Sequence, residues 1–259
     1  MRVLLTNDDG INAPGLAALA ETVSRVADVT IVAPATEMSA VGHAITLTDP
    51  LRVSEVHKDH SLYGYAVKGT PADCVKLAYW ALLNEKSRPD MLISGINLGS
   101  NTGINTIYSG TVSAATEGAI LGIPSFAISL TTFTQPNFKP AADFAARFMM
   151  ILRDFPLPDG VFLNINVPAI DSEQIKGIRI TQQGMSKYEE KYHVREDPYD
   201  RKYYWLTGEK VNVETDLTFD DAAIRNHYIS ITPVHYNLTF FPLIDRLKTI
   251  DWNQKLKEL

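Results

Sequence analysis

Three short apolar runs, Val3-Leu4-Leu5, Val29-Thr30-Ile31-Val32 and Met91-Leu92-Ile93, constrain the fold more than any other feature of the chain. None alternates with polar residues, which is the pattern of strands covered on both faces in a parallel sheet. Between the first two, Leu16, Leu19, Ala20, Val23, Val26 and Ala27 recur at intervals of three and four. That spacing makes one apolar stripe on a helix, with Pro14 and Gly15 marking its start. A second helix is expected from about Pro71, a residue suited to a first helical position, with Val75, Ala78, Tyr79, Leu82 and Leu83 on one side. A third should begin near Thr111 and stop at Gly122, with Pro124 just beyond, and the strand Ser125-Phe126-Ala127-Ile128-Ser129 follows at once. Strand, helix and strand joined by short connections, and repeated, predict right-handed crossovers. The fold class expected is therefore α/β, a three-layer, doubly wound, mostly parallel sheet with helices on both faces.

The second half opens with a helix expected at about Pro140 to Arg153, then Val161-Phe162-Leu163-Asn164-Ile165-Asn166-Val167, whose alternation predicts another strand. Beyond Gly177 the character changes. Lys187 to Tyr204 holds five of the eleven tyrosines (Tyr188, Tyr192, Tyr199, Tyr203 and Tyr204) among five basic and five acidic residues. Such a stretch suits an exposed β-hairpin arm, and three uses stay open: a solvated hairpin, an oligomerisation surface, or a lid over substrate. Leu243, Leu247, Ile250, Leu256 and Leu259 predict a terminal helix. With no internal repeat or low-complexity linker, a single domain is expected. Its core spans about 1–180 and 228–235, its arm about 185–210 and its C-terminal helix about 243–258.

Charge narrows the partners. The 259 residues carry 24 Lys and Arg against 30 Asp and Glu, a net charge of −6. That balance argues against a nucleic acid polymer or an anionic membrane surface, though not against a small anion bound locally. One cysteine, Cys74, has no partner for an internal disulfide, and no apolar run reaches membrane-spanning length. Asn7-Asp8-Asp9 stands where a signal peptide needs apolar residues, so a reducing, cytoplasmic location is expected.

In a parallel sheet the ligand site lies outside the carboxyl ends of the strands. After the first strand come Asn7-Asp8-Asp9-Gly10, where two carboxylates turning through glycine can converge and then need an opposing positive charge. A hard divalent cation such as Mg²⁺ or Mn²⁺ suits that oxygen chemistry, although Asp and Gly also serve as plain turn formers. After the second strand, Ser39 can reach the same point as a hydroxyl ligand and His43 as an acid, base or donor. A solvated loop serine and a structural histidine are the plainer readings of the same two residues. After Ile93, glycine at 95, 99 and 103 and asparagine at 97, 101 and 105 argue against a helix and for a loop, one able to ligate a metal or cradle oxyanions. Ser109-Gly110-Thr111 then opens a helix, whose N-terminus favours phosphate. No Lys or Arg occurs between Arg88 and Lys139, so backbone donors and a metal must supply the positive potential there.

Taken in order, Thr6-Asn7-Asp8-Asp9-Gly10, Ser39, Gly69-Thr70-Pro71-Ala72-Asp73-Cys74-Val75, Ser94-Gly95-Ile96-Asn97 and Tyr108-Ser109-Gly110-Thr111-Val112 resemble the SurE (survival protein E) 5′-nucleotidase family. The likeness returns at Asn164-Ile165-Asn166-Val167-Pro168 and Ser230-Ile231-Thr232-Pro233. It implies a Rossmann-like core and a metal-dependent phosphatase of nucleoside monophosphates. It also implies one divalent cation, Mg²⁺ or Mn²⁺, held by Asp8, Asp9, Ser39 and Asn97, and a homodimer or homotetramer formed through the C-terminal arm. One departure is Asn226, where glycine is expected before the last core strand.

The expected reaction is hydrolysis of nucleoside 5′-monophosphates, with 3′-nucleotides and polyphosphate as further candidates, by metal-activated water. Asn12, Asn101, Ser109, Gly110 and Thr111 would hold the phosphate, and Asp8 or Asp9 would act as the catalytic base. Two rivals stand beside it: an aspartyl nucleophile, as in phosphatases whose first strand also ends in aspartates, and a non-catalytic nucleotide or phosphate sensor on the same scaffold.

Overall fold

A computed structural model describes residues 1–134 and 136–257. Nine strands form one sheet in the order β3-β4-β2-β1-β5-β6-β7-β11-β8. These are β1 (Arg2–Thr6), β2 (Asp28–Pro34), β3 (Val53–Lys58), β4 (Ser61–Val67), β5 (Met91–Leu98), β6 (Ser125–Leu130), β7 (Val161–Val167), β8 (Gly177–Ile180) and β11 (Tyr228–His235). The run from β4 through β7 is parallel, while β3 and β11 each pair antiparallel with one neighbour. The remaining strands, β9 (Lys187–Glu196) and β10 (Lys202–Val211), pair only with each other. They are the arm, ten rungs long with almost every residue exposed.

Helices cover both faces, as the buried apolar runs require. On one side α1 (Pro14–Val23) and α4 (Lys139–Arg153) pack Leu16, Leu19, Ala141, Ala145 and Met149 against Leu5, Ile93, Phe126 and Ile128. On the other, α2 (Pro71–Leu77) and α3 (Gly110–Ile120) pack Cys74, Val75, Val112 and Ala115 against Leu4, Leu92 and Ala127. Thr70 caps α2 through a reciprocal capping box with Asp73, the local reason the helix starts where the proline predicted. Burial pushes the Cys74 thiol well up, so it is an inert core residue.

Several elements differ from the sequence reading. The β3–β4 hairpin is an addition to that reading: β3 is charged and exposed, and β4 buries only Gly64, Ala66 and Val67, too short an apolar run to stand out. The second helix ends at Leu77 in a π turn over Ala78–Leu82, so Leu83 lies outside it. Strand β7 is buried from Phe162 to Val167 and does not alternate, since its asparagines point into polar pockets inside the fold. The tail is two short helices, α6 (Phe241–Lys248) and α7 (Trp252–Lys257), broken around Ile250; Leu259 lies outside the described residues. Before β11, a short helix α5 (Asp220–Arg225) ends, and the left-handed residue is His227, φ 69°, while Asn226 has an ordinary negative φ. The glycine-like position is thus one residue later than expected.

Strand β1 continues to β2 on one side and has β5 as its neighbour on the other, so the chain reverses direction across the sheet between β1 and β5. Their carboxyl ends therefore flank the crevice where such sheets bind ligands. Gly15 lets α1 lie against this crevice, since a Cβ there would collide with the Ile96 carbonyl and meet the Phe138 ring at 3.1 Å. Gly15→Ala should therefore lower stability by about 1–3 kcal/mol in denaturant melts, whereas Gly122→Ala, which meets nothing within 4 Å, tests φ 73° strain alone.

Candidate active site

Asp8 and Asp9 follow β1 at the switch point, and the fold treats them differently. Asp8 is buried and accepts a hydrogen bond from the Thr111 hydroxyl. Burial pushes its carboxyl up, against the Thr111 hydroxyl and the backbone N–H groups of Thr111 and Gly110, which pull it down. The start of α3 is thus turned onto Asp8. Gly110 makes the approach possible, because a Cβ there would lie 2.7 Å from Asp8 Cβ and 3.1 Å from Pro71. Asp9 is half-buried, and among the described residues it accepts from the Leu98 N–H at a long 3.4 Å. Burial first, then the charges of Asp8 and Glu37, push the Asp9 carboxyl up to about 6.

Two neighbouring segments close on this pair. Met38 N–H donates to the Asp8 carbonyl at 2.8 Å, drawing the loop after β2 toward the aspartates; Ser39 on that loop is exposed and donates to Glu37 at 2.6 Å. From the other side comes Asn97, and here the sequence expectation needs correction. Residues Ser94 to Leu98 are strand, paired to β6 through an irregularity between Ser94 and Asn97, and the Gly-rich loop begins only at Gly99. Gly95 has φ 145° and lies so close to Ile128 that no side chain would fit, which is why glycine serves a strand here. Asn97 donates its amide to the Gly99 carbonyl at 2.7 Å, which leaves its side-chain oxygen available on a half-buried residue next to Leu98.

The other candidates take varied places. Ser109 is the N-cap of α3, accepting from Val112 N–H at 3.1 Å. Asn12 is exposed beside the Gly10 turn. Asn101 is buried and holds the loop in place: its amide donates to Ser129 at 2.9 Å, its N–H donates to Asn166, and its carbonyl accepts from Asn164 and Asn166. His43 Nε2 lies 2.9 Å from Glu117, a buried carboxylate on α3 that also accepts from Lys76 at 2.9 Å. The loop carrying Ser39 is thereby braced to the helix whose start faces Asp8, with further ties from Gly42 N–H to the Tyr108 carbonyl and from Thr70 to the Ala44 carbonyl.

The sequence reading missed a cation. Lys210, at the foot of the arm, reaches the glycine loop and donates to Thr102 at 2.8 Å and Ser100 at 3.2 Å while paired with Asp221. Asp220 holds the same loop by accepting from Gly103 N–H at 2.9 Å. The loop does therefore have a cationic side chain beside it, supplied from more than 100 residues away, but one already matched to a carboxylate.

No three His, Cys, Asp or Glu side chains among the described residues gather to hold a metal by themselves. A cation at Asp8 and Asp9 has to be completed by neutral oxygens, and Ser39 and Asn97 are of that kind. The fit rests on charge: among the described residues no Lys or Arg pairs with Asp8, Asp9 or Glu37, and the all-oxygen donor set suits a hard divalent ion.

For Glu117, burial alone would raise the carboxyl, but hydrogen bonds from His43 and Lys76 outweigh it and hold the group below its ordinary range. A depressed carboxyl stabilises fully above its ordinary pKa, and that contribution is lost as pH falls through the folded value. Glu117→Gln should cost about 1–2 kcal/mol near neutrality. It should also flatten the fall in melting temperature between about pH 5 and 3, read by thermal melts.

A family model described as "Survival protein SurE" matches residues 3–190. The chain is 48% identical over 253 residues to a protein named 5′-nucleotidase SurE from Syntrophobacter fumaroxidans, covering 98% of this chain and 100% of that one. It is 50% identical over 251 residues to the protein of the same name from Syntrophus aciditrophicus, covering 96% and 94%. Among solved structures, that of the SurE protein from Aquifex aeolicus superposes with a TM-score of 0.84 at 39% identity, covering 96% of this chain and 99% of that one.

Proposed function

The chain belongs to the survival protein SurE family, and on that premise we propose that it is a 5′-nucleotidase, a phosphomonoesterase that releases phosphate from nucleoside 5′-monophosphates with the help of one divalent cation, Mg²⁺ or Mn²⁺. The observation that carries this reading is the pair Asp8 and Asp9 at the switch point, an unmatched negative cluster beside a helix start. A phosphate brought to Ser109, Gly110 and Thr111 would meet Asp8 already there, so the approach of an anion requires a cation between them. Asp8, Asp9, Ser39 and the Asn97 side-chain oxygen are the residues that would hold it. When bound, such an ion supplies positive charge against the phosphoryl oxygens and acidifies water.

The chain's own residues divide the remaining work. Asp8 is fixed by Thr111 and the α3 start, which makes it the rigid member of the pair. Asp9 accepts a long bond from the Leu98 N–H, which leaves its carboxylate open toward the cation and the attacking water, whose proton it or Asp8 would take. Asn12 and the Ser109 to Thr111 segment position phosphoryl oxygens, and Asn101 serves the site from behind by anchoring the loop to β6 and β7. Positioning of this kind is most of what phosphoryl transfer needs.

AMP or GMP incubated with the protein and Mn²⁺ should release phosphate, and EDTA should abolish the release. Asp8→Asn and Asn97→Ala should each lower kcat by about 100-fold or more; wild-type turnover in either misplaces the site, and metal-dependent binding without turnover makes the protein a sensor. An independent readout is stability. Because the folded Asp9 pKa of about 6 exceeds its ordinary 3.8, the cation-free fold loses stability as pH rises from 3.8 through 6. Added Mn²⁺ competes with that proton and should raise the melting temperature more at pH 7.5 than at pH 5.

The arm and tail also suggest an assembly. A two-stranded hairpin anchored at its foot by Lys210 and Ser186 is marginal alone, and this one exposes Tyr192, Val194, Tyr204 and Trp205, while the tail exposes Phe240, Phe241, Leu247 and Trp252. We assign these surfaces to a homodimer or homotetramer in the reducing cytoplasm; light scattering of the chain lacking residues 187–204 should read the monomer mass, and unchanged mass removes the arm from the interface.

A further inference from the structure

Of the side chains that would meet the cation, Ser39 brings a neutral hydroxyl on an exposed loop, so its direction has to be set by a neighbour. That neighbour is Glu37. The Ser39 hydroxyl donates to Glu37 Oε1 at 2.6 Å, a short bond to a charged acceptor. With its single proton aimed at that carboxylate, the serine oxygen keeps its lone pairs for another partner. The backbone that carries Glu37 is itself registered on the aspartates. Met38 N–H donates to the Asp8 carbonyl and Ile11 N–H to the Pro34 carbonyl, each at 2.8 Å, so the loop after β2 is stitched to the Asp8–Ile11 turn at both ends. Gly10, φ 98°, makes the contact close: a Cβ there would lie 3.2 Å from the Thr36 carbonyl carbon and 3.4 Å from the Glu37 nitrogen.

The charge of Glu37 is felt at Asp9, yet Glu37 does not join Asp8 and Asp9 as a third acidic ligand, since no three such side chains among the described residues gather to hold a metal. Its contact with the site runs through Ser39. A carboxylate bonded to a metal-binding group orients that group and raises its basicity. We propose that Glu37 is the positioning residue for Ser39: by accepting the hydroxyl proton in a hydrogen bond, it leaves the serine lone pairs to the cation and makes the oxygen a stronger donor. The proposal rests on the cation reading of Asp8, Asp9, Ser39 and Asn97, and adds to it a residue that touches neither metal nor substrate. A third carboxylate in direct contact with the ion would deepen the repulsion between Asp8 and Asp9. A hydroxyl backed by Glu37 supplies negative potential at one remove.

The test is Mn²⁺ binding to the full chain without nucleotide, followed by the electron paramagnetic resonance signal of free Mn²⁺, so that turnover plays no part. Glu37→Ala should weaken binding about tenfold, and Glu37→Gln, whose amide oxygen still accepts from Ser39, should weaken it less. The deciding comparison repeats Glu37→Ala in the Ser39→Ala background. A residue that acts through the hydroxyl then has nothing to act on, and the further loss should be less than about twofold. Glu37 and Ser39 are both exposed, so neither truncation opens the core, and melts without metal should coincide with wild type. A Glu37 that acts by charge alone gives equal losses for Ala and Gln, and the same loss with or without Ser39. Either of those results, or unchanged affinity in Glu37→Ala, overturns the positioning role while leaving the cation site in place. Absence of Mn²⁺ binding by wild type removes the cation reading itself, and the role of Glu37 with it.

Discussion

Two consecutive carboxylates at the end of a central buried strand are the constraint on which the site depends. Left alone they repel, and both lie where burial already disfavours charge. The fold resolves this by treating them unequally. Asp8 is enclosed by the start of α3, with a hydroxyl and two backbone N–H groups around it, and Asp9 accepts a long bond from Leu98. That inequality needs Gly110, whose missing side chain lets the helix come up to Asp8, and it needs α3 to stay in place. The Glu117 bridge to Lys76 and His43 ties α3 to α2 and to the loop of Ser39, so one helix sets the geometry at two of the three segments around the aspartates.

The third segment is held from farther off. Asn101 is gripped by Asn164 and Asn166 on β7, and Gly103 and Thr102 by Asp220, Asp221 and Lys210. A loop made of glycine and asparagine has little preference of its own. Its conformation is imposed by buried amides and carboxylates from the second half of the chain. The fold class, with helices on both faces and a Rossmann-like arrangement about β1, is what brings that second half alongside.

Where a signal lay in local pattern, the sequence was readable. Leu16, Leu19 and Val23 announced α1, the paired Gly122 and Pro124 announced the end of α3, and the apolar run before Asp8 and Asp9 announced β1, which sets both at the switch point. Long-range forces decided the rest. Ser94 to Asn97 has loop composition, yet Ser94 is paired to strands on both sides and Asn97 to β6 past the irregularity, which holds the segment as strand. Strand β3 is exposed along nearly its whole length, and the buried positions of β4 are Gly64, Ala66 and Val67, two of them too small to mark an apolar face. Lys210 beside Thr102 left no trace at all, because a contact spanning more than 100 positions has no periodicity to read.

The hairpin's ladder of ten paired rungs carries a further consequence for how such chains can diverge. Its foot is fixed, with Ser186 and Lys210 bonded into the glycine loop, while its tip turns through Asp197 to Arg201, whose backbone and side chains bond to one another. Because side chains alternate faces with a period of two, the arm can lengthen or shorten at the tip only by residues added or removed in matched pairs, one on each strand. A single-residue insertion near the foot would instead turn Lys210 away from Thr102. A change in the arm's length is thus accommodated at its outer end, whereas its base holds only one parity.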